Sequence, residues 1–417
     1  MATATKKAPK QKKPAKKRST LWAVGKIDVP FLLLVIIILT IGLVMLFSAS
    51  YTYAYYERHG DSAFFFKRQL VFAIIGVIGM LLVSKVRYDY LKIAAVPLLL
   101  LSWFLLVIVL FWPVPAGIPK NFHRWIFLGP INFQPSEIAK FALILFCAWS
   151  MEKNHRSMVS KRLNQNKISK TIADLTGGRI VVYDSFAKMC FYTVIIILTA
   201  GLVMLENHLS GTVLLLAIGI AMMFIGGVKG KWFVLGLLVV GIVGTVVVTH
   251  PDILPGYAKE RIVAWLDKSY DPRDTRWQTN NSLYAIGSGG LFGVGLGNSK
   301  QKHLYVSEPQ NDFIFAIVCE ELGFLRAVGI LLLFVLLVWR GVVIGLKSKD
   351  LFGAFLSMGI VFQVGLQTAL NIAVVSDALP NTGISLPFFS YGGTSLLMLL
   401  LEMGVVLSVS RYAKLDK

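Results

Sequence analysis

The sequence predicts an all-α polytopic membrane protein of about ten transmembrane helices, with a large extracytoplasmic loop between the seventh and the eighth. Three observations predict it. Apolar residues make up 56% of the 417-residue chain and charged residues only 15%, against about 25% charged in an ordinary soluble protein. Mean hydropathy is +0.68. The apolar residues also come in long blocks rather than at helical or strand spacing. The block from Val29 to Ser50 holds no ionisable residue, and about 20 such residues, each rising 1.5 Å, cross a hydrocarbon core.

Residues 1–27 precede the first block and are basic from Lys6 to Arg18. With no interleaved aromatics, they read as a disordered arm lying on anionic lipid. A basic stretch before an apolar run also suggests a signal peptide, and Ser48-Ala49-Ser50 is loosely like a cleavage site. The run is longer than the usual apolar region of about 7–15 residues, which favours a retained first span. Apolar runs read against breakers then give spans near 29–50, 70–84, 93–112, 136–150, 189–205, 209–227, 231–249, 313–339, 351–375 and 393–410. All lie in one membrane domain, 28–411, followed by a tail, 412–417. The second and fourth runs are short, consistent with tilted or partly re-entrant helices.

Orientation follows from loop charge. Lys26, Lys85, Arg87, Lys92, the loop 151–188, Lys229, Lys231, Arg340, Lys347, Lys349, Arg411 and Lys414 all fall on one side, which the positive-inside rule makes cytoplasmic, with both termini. The net charge of +20 is thus explained by membrane lipids, and nucleic acid is not an expected partner. Cys147, Cys190 and Cys319 lie far apart in or beside apolar segments and form neither a metal spacing nor a disulfide framework.

The long outer segment, 250–312, mixes balanced charge and glycine with Trp265, Tyr270, Trp277, Tyr284 and Tyr305. Such a mixture suits a headgroup-level surface that grips an amphiphile. It suits equally an amphipathic interfacial helix that braces the bundle.

Ionisable residues inside spans are expensive and are functional candidates by default. The fourth span opens Gln134-Pro135-Ser136-Glu137 and continues to Lys140. Proline is tolerated in a first turn, and Gln134, Glu137 and Lys140 then share a helical face. They form either an internal salt bridge or the polar wall of a cavity whose lysine faces a phosphate, and both can hold. Asp312 falls at the outer edge of the eighth span, where capping is the commoner role of an Asp. Further in, Glu320 and Glu321 point to different faces, so at most one is expected to share a site with Asp312.

The run from Gly287 to Gly297 has dinucleotide-like spacing but no βαβ context, so it is not a Rossmann signal. Its backbone can still approach a lipid phosphate. The segment from Pro380 to Ser395 has the same character, with Ser390 and Gly392 inside it; irregular backbone at membrane depth is tolerated where it lines a cavity. His208, in a short outer turn, reads equally as structural or functional. These residues alone fit an enzyme acting on lipids, and they fit a transporter too.

Several of these motifs, in this order, resemble the SEDS family of cell-wall proteins (shape, elongation, division and sporulation). The stretch from Asp271-Pro272 through Trp277-Gln278 and the glycine run to Lys302 carries the resemblance most specifically. It continues from Ser307 through Asp312 and Glu320-Glu321 to Gly323. Arg124-Trp125-Ile126, the Gln134 to Lys140 motif, and Leu386-Pro387-Phe388 through Ser395 add to it. Ser48-Ala49-Ser50 and the basic tail resemble the division branch, FtsW, more than the elongation branch, RodA; the sporulation homologue SpoVE is too similar to set aside. Two departures stand out. The family often shows Pro-Asp-Leu-Gly-Thr where this chain has Asn207-His208-Leu209-Ser210-Gly211-Thr212, and some members carry a lysine in the Pro380 to Gly383 loop, where this chain has Asn381 and Thr382.

The resemblance implies a peptidoglycan glycosyltransferase polymerising lipid II at the outer face of the bacterial cytoplasmic membrane, at the division septum. Its implied partners are a class B penicillin-binding protein and other division proteins. The family's essential aspartate falls on Asp312, as a general base or a metal-holding carboxylate. The matching motifs make Arg124, Gln134, Glu137, Lys140, Gln278, Lys302, Glu320, Glu321, Ser390 and Gly392 candidate substrate-binding residues. Mg²⁺ or Mn²⁺ is an expected cofactor for diphosphate chemistry, with no organic cofactor. Two other readings use the same residues: a flippase carrying lipid II, which needs a pathway open to both faces, and a non-catalytic scaffold for division proteins.

Overall fold

The computed structural model describes residues 21–115, 123–129, 131–159, 170–171, 174, 183–254, 256–269 and 276–415. The basic tail up to residue 20, much of the 151–188 loop, Asp271-Pro272 with Tyr270, and the last two residues lie outside the described residues. Every apolar run anticipated above is helical: α1 Val29–Glu57, α2 Phe64–Lys85, α3 Leu91–Phe111, α4 Pro135–Val159, α5 Asp184–Leu205, α6 Leu209–Ile225, α7 Gly230–Thr249, α10 Ile314–Leu346, α11 Leu351–Val375 and α12 Gly393–Ser410. Two further helices, α8 Gly256–Leu266 and α9 Trp277–Gly289, lie in the long loop, and one hairpin, β1 Ile126–Leu128 with β2 Ile131–Phe133, precedes α4. Among the described residues, α1, α2, α3, α5, α10, α11 and α12 are each long and apolar enough to cross a membrane. α6, at 17 residues, is shorter.

The second and fourth helices are not short. α2 has 22 residues and α4 has 25. The apolar runs stop short of polar residues at the helix ends, some buried and others, such as Lys67, Lys85, Lys153 and Arg156, exposed. Gln69 is buried on α2, and on α4 every residue from Ala139 to Ala148 is buried, Lys140 included. α4 packs against α3, α5, α6 and α11, so its polar face meets protein and not lipid. The outward-facing side chains are the apolar ones, such as Leu33, Ile74, Leu100, Ile197 and Leu332.

Small residues bring helices close, as is common where no water drives association. α2 lies along α12, where a Cβ on Gly404 would fall 2.6 Å from the Met80 carbonyl oxygen. The segment 21–28 stitches the face that bears both chain ends. Ala23 N–H donates to the Lys85 carbonyl (2.6 Å) and Arg87 N–H to that of Leu21 (3.1 Å). Asp28 caps α1 through Phe31 N–H (2.9 Å), receives Arg340 on both carboxylate oxygens (3.0 and 2.7 Å), and donates its own N–H to Ser410 Oγ (3.1 Å).

Candidate active site

A cavity of about 410 Å³ opens at the end of the bundle opposite that face. Four helices begin on it. Ser136 and Glu137 come from the first turn of α4, Ser210 and Gly211 from that of α6, and Gly393, Thr394 and Ser395 from that of α12, while Asp312 lies just before α10. Helix N-termini present unpaired N–H groups and the positive end of the dipole. Arg68, Arg124 and Lys140 line the same space. With Glu137, Glu308 and Asp312 also on the wall, the cavity offers anion-binding helix starts and cations alongside carboxylates.

Local folding explains the placements. The hairpin pairs Ile126 with Phe133 and Leu128 with Ile131 around Gly129, which returns the chain so that Arg124, before β1, stands beside Gln134, after β2. Gln134 leads straight into α4, and Lys140 is then one turn past Glu137. Its Nζ lies 2.9 Å from Glu137 Oε2 and 3.2 Å from Gln367 Oε1. The salt-bridge and cavity-wall readings of this motif thus hold together.

Residues 376–392 are irregular chain held by side chains from α11 and α2 and by its own Ser390. Asn371 Nδ2 donates to the carbonyls of Asp312 (2.7 Å) and Ile384 (2.6 Å), and Gln367 Nε2 to that of Ser385 (3.0 Å). Gln69 donates to the Ser390 carbonyl (3.2 Å) and accepts from Gly392 N–H (3.1 Å). Ser390 Oγ donates to the Asn311 carbonyl (2.8 Å) and accepts from Leu386 N–H (2.7 Å). Ser390 and Gly392 line the cavity, and their polar groups anchor the loop. Gly383 has φ +75°, and a Cβ there would fall 3.0 Å from Asp312 Oδ2, so the loop backbone rests against the carboxylate.

Asp312 is half-buried on the cavity wall. Burial pushes its carboxyl up to about 6, with Arg261 and Arg124 pulling down and Glu308 pushing up. His208, on the same wall, is pushed down to about 3 by burial, then by Arg124 and Lys140; it is a neutral imidazole. Arg124 donates to the Asn207 carbonyl, beside that histidine.

Of the anticipated residues, Asp312, Arg124, Gln134, Glu137, Lys140, Ser390 and Gly392 come together here. Gln278, Lys302, Glu320 and Glu321 do not. Gln278, on α9, bonds the Ser307 carbonyl and Asn381. Glu321 is fully buried, accepts from Ser48 Oγ (2.8 and 2.6 Å) and pairs with Lys302 Nζ at 2.9 Å. Glu320 accepts from Ser299 Oγ and from the N–H groups of Lys300 (2.9 Å) and Gln301 (3.4 Å). Both acids are consumed in folding the loop after the glycine run. Part of that run is closed by packing: Cβ atoms on Gly289 and Gly293 would fall 2.1 and 2.2 Å from the carbonyl oxygens of Cys319 and Glu321, while Gly287, Gly290 and Gly297 have open space around them. The run packs backbone to backbone against a break in α10 at Gly323, φ +77°.

The long loop braces the site. From α8, Trp265 Nε1 donates to the Asp377 carbonyl (3.1 Å) and Arg261 reaches Asn381; Lys268 (2.6 Å) and Arg276 (2.9 Å) pair with the Asp377 carboxylate. Arg68, His208, Gln363 and Gln367 on the cavity wall were not singled out from sequence as site residues. Gln363, Gln367 and Asn371 recur every four residues in an apolar span, a polar stripe that could have marked the wall. Among the described residues no three His, Cys, Asp or Glu side chains cluster as a metal site, so a Mg²⁺ or Mn²⁺ there would take most of its ligands from the substrate's phosphates and water.

Comparison with known proteins agrees over nearly the whole chain. Residues 29–415 match the family described as cell cycle protein, FtsW/RodA/SpoVE. Stage V sporulation protein E of Bacillus subtilis is 41% identical over 392 residues, covering 92% of this chain and 98% of the relative. A protein named "Probable peptidoglycan glycosyltransferase FtsW" from Geobacter sp. is 39% identical over 384 residues, covering 92% and 96%. Among solved structures, a chain of a peptidoglycan synthase complex coordinating polymerisation and crosslinking superposes with a TM-score of 0.70 at 25% identity, covering 94% of this chain and 99% of that one. The rod shape determining protein RodA of Thermus thermophilus gives 0.61 at 24% identity, covering 94% and 98%.

Proposed function

The chain belongs to the FtsW/RodA/SpoVE family of cell cycle proteins, and from that premise we propose that it is a peptidoglycan glycosyltransferase polymerising lipid II. The observation that carries this reading is the Asp312 carboxyl sharing a cavity with Arg68, Arg124, Lys140 and the first turns of three helices. The reaction joins a sugar hydroxyl of one substrate to the anomeric carbon of another. As the new C–O bond forms, the bond from that carbon to the diphosphate oxygen breaks, and the electron pair leaves with the diphosphate. Asp312 takes the hydroxyl proton; a base with a carboxyl near 6 is ionised at neutral pH yet basic enough to help. Lys140, Arg124 and the helix N-termini receive the charge gathered on the leaving diphosphate. A divalent ion, if the reaction uses one, arrives with the diphosphate, since the walls supply no cage.

We read the face with the start of α1 and the end of α12, which carries Lys85, Arg87, Lys229, Lys231, Arg340 and Arg411, as cytoplasmic from its charge. The cavity then opens on the outer side of the bacterial inner membrane, where a septal polymerase works beside a class B penicillin-binding protein. All four helix starts lie at that one end, which favours a one-sided site over a flippase pathway.

The test is polymerisation of lipid II by purified protein with that partner, in a preparation free of other glycosyltransferases. Wild type should make glycan chains, and Asp312→Asn should lose about 10²-fold or more with an unchanged melting temperature. Equal polymer from both would return Asp312 to a capping role. No polymer from wild type would sink the enzyme reading.

A further inference from the structure

The first turn of α6 combines an uncapped start, which it shares with α10 and α12, with a buried hydroxyl that has no partner. His208 occupies its N-cap position, and among the described residues no side chain caps the helix. The first amides of any helix lack intrahelical acceptors. Ser210, in that turn, is 2% exposed and on the cavity wall, yet its hydroxyl has no hydrogen-bond partner. Facing the same cavity from α4, Ser136 is also 2% exposed with an unpartnered hydroxyl. Buried hydroxyls are seldom left unsatisfied without a reason.

His208 is fixed in a useful state. Its Nδ1 lies 3.3 Å from Gln134 Nε2, an amide donor, so Nδ1 accepts and the proton sits on Nε2. The ring lies flat on α6 because Gly211 has no side chain; a Cβ there would fall 2.7 Å from Nδ1 and 2.8 Å from Cε1. The ring stays neutral, as described, and therefore donates without needing to titrate. Glu206, buried behind the turn, is pushed up to about 9 by burial against the pull of Arg124, so it adds no negative charge. An aspartate in place of His208, as in the family's usual motif, would cap the helix and fill the position with a carboxylate.

We propose that the first turn of α6, with His208 and Ser210, seats a phosphate of a lipid-borne diphosphate. This rests on the reading of the cavity as a polymerase site and adds where the substrate's diphosphate is held. The helix amides and Ser210 Oγ take its oxygens, His208 Nε2 donates a further bond, and Arg124 and Lys140 on the same wall supply the counter-charge.

Binding, not activity, tests it. Calorimetry with the full chain in detergent would use farnesyl diphosphate as the probe, with farnesol as its uncharged control. The double variant H208A/S210A should bind farnesyl diphosphate about tenfold or more weakly, the loss expected for hydrogen bonds to a charged group, with farnesol unchanged. His208→Gln keeps an amide donor near Nε2 and should recover most of the affinity, while His208→Asp should lose it. Excess phosphatidylglycerol should not displace the probe. Undiminished affinity in a folded double variant, no binding by wild type, or equal displacement by phosphatidylglycerol would each overturn the proposal. Binding lost in the double variant while wild type makes no polymer would sink the polymerase reading and leave the seat standing.

Discussion

Two groups of acids and a lysine lie within the same bundle and behave in opposite ways. Around Glu321 the partners are complete: Lys302, Ser48 and the backbone of residue 299 satisfy the carboxylate, and it is fully buried. Around Asp312 they are not. Its carbonyl is bonded by Asn371, but its carboxylate faces an open cavity across from the cations. A charge surrounded by partners holds a loop in place. A charge held by its backbone, with its side chain left facing space, is available to a substrate. Both are costly ions in an apolar chain, so cost alone does not tell one from the other.

The sharpest way to break this contrast is Lys302→Met. It strands Glu321, and losing one partner of a buried pair costs about 3–5 kcal/mol; the melting temperature in detergent should collapse, and adding Glu321→Gln should restore part of it. If Lys302→Met left stability intact, the sealed cluster would not be structural. A middle-sized effect concerns Asp312 and pH. Its carboxyl is raised to about 6, so the base form is lost as pH falls through that value. Initial rates of polymerisation should be level above about pH 7 and fall roughly tenfold per unit below about 5. A profile flat down to pH 4 would remove Asp312 as base. The smallest effect is expected from Gly383→Ala. Left-handed backbone costs a non-glycine residue roughly 1–2 kcal/mol, and the new methyl presses on Asp312 Oδ2. The rate should drop about tenfold with little loss of assembly; unchanged kinetics would mean the loop does not set the carboxylate.

The sequence located the helices because lipid imposes one crude demand, length without charge, that apolar runs record directly. It set α2 and α4 too short, because the polar residues at their ends, Lys67 to Gln69 on α2 and Glu152 to Arg156 on α4, look like breakers although the helices run through them. In the site, the Gln134 to Lys140 motif was legible because three residues at helical spacing share a face wherever that helix packs. Glu320, Glu321 and Lys302 fall outside the cavity for a reason the sequence hides. Their partners Ser48 and Ser299 are supplied by α1 and by a loop folded back over the break at Gly323, and no local spacing announces either. The hairpin that sets Arg124 beside Gln134 went unanticipated because two three-residue strands leave little pattern. His208 was weighed evenly because its meaning depends on Gln134, 74 residues earlier.

The stitching at the face with both chain ends bears on how the protein is made. α1 leaves the ribosome before α10 and α12, but Asp28 at its start takes its partners from Arg340 and Ser410, and Gly25 receives Arg411. α1 therefore waits, inserted but unlocked, until translation has delivered both. A chain stopped short of Arg340 would leave the Asp28 carboxylate without its cation, and one stopped short of Ser410 would leave the Asp28 N–H without its acceptor, late lesions displayed at α1, where a quality-control protease could find them.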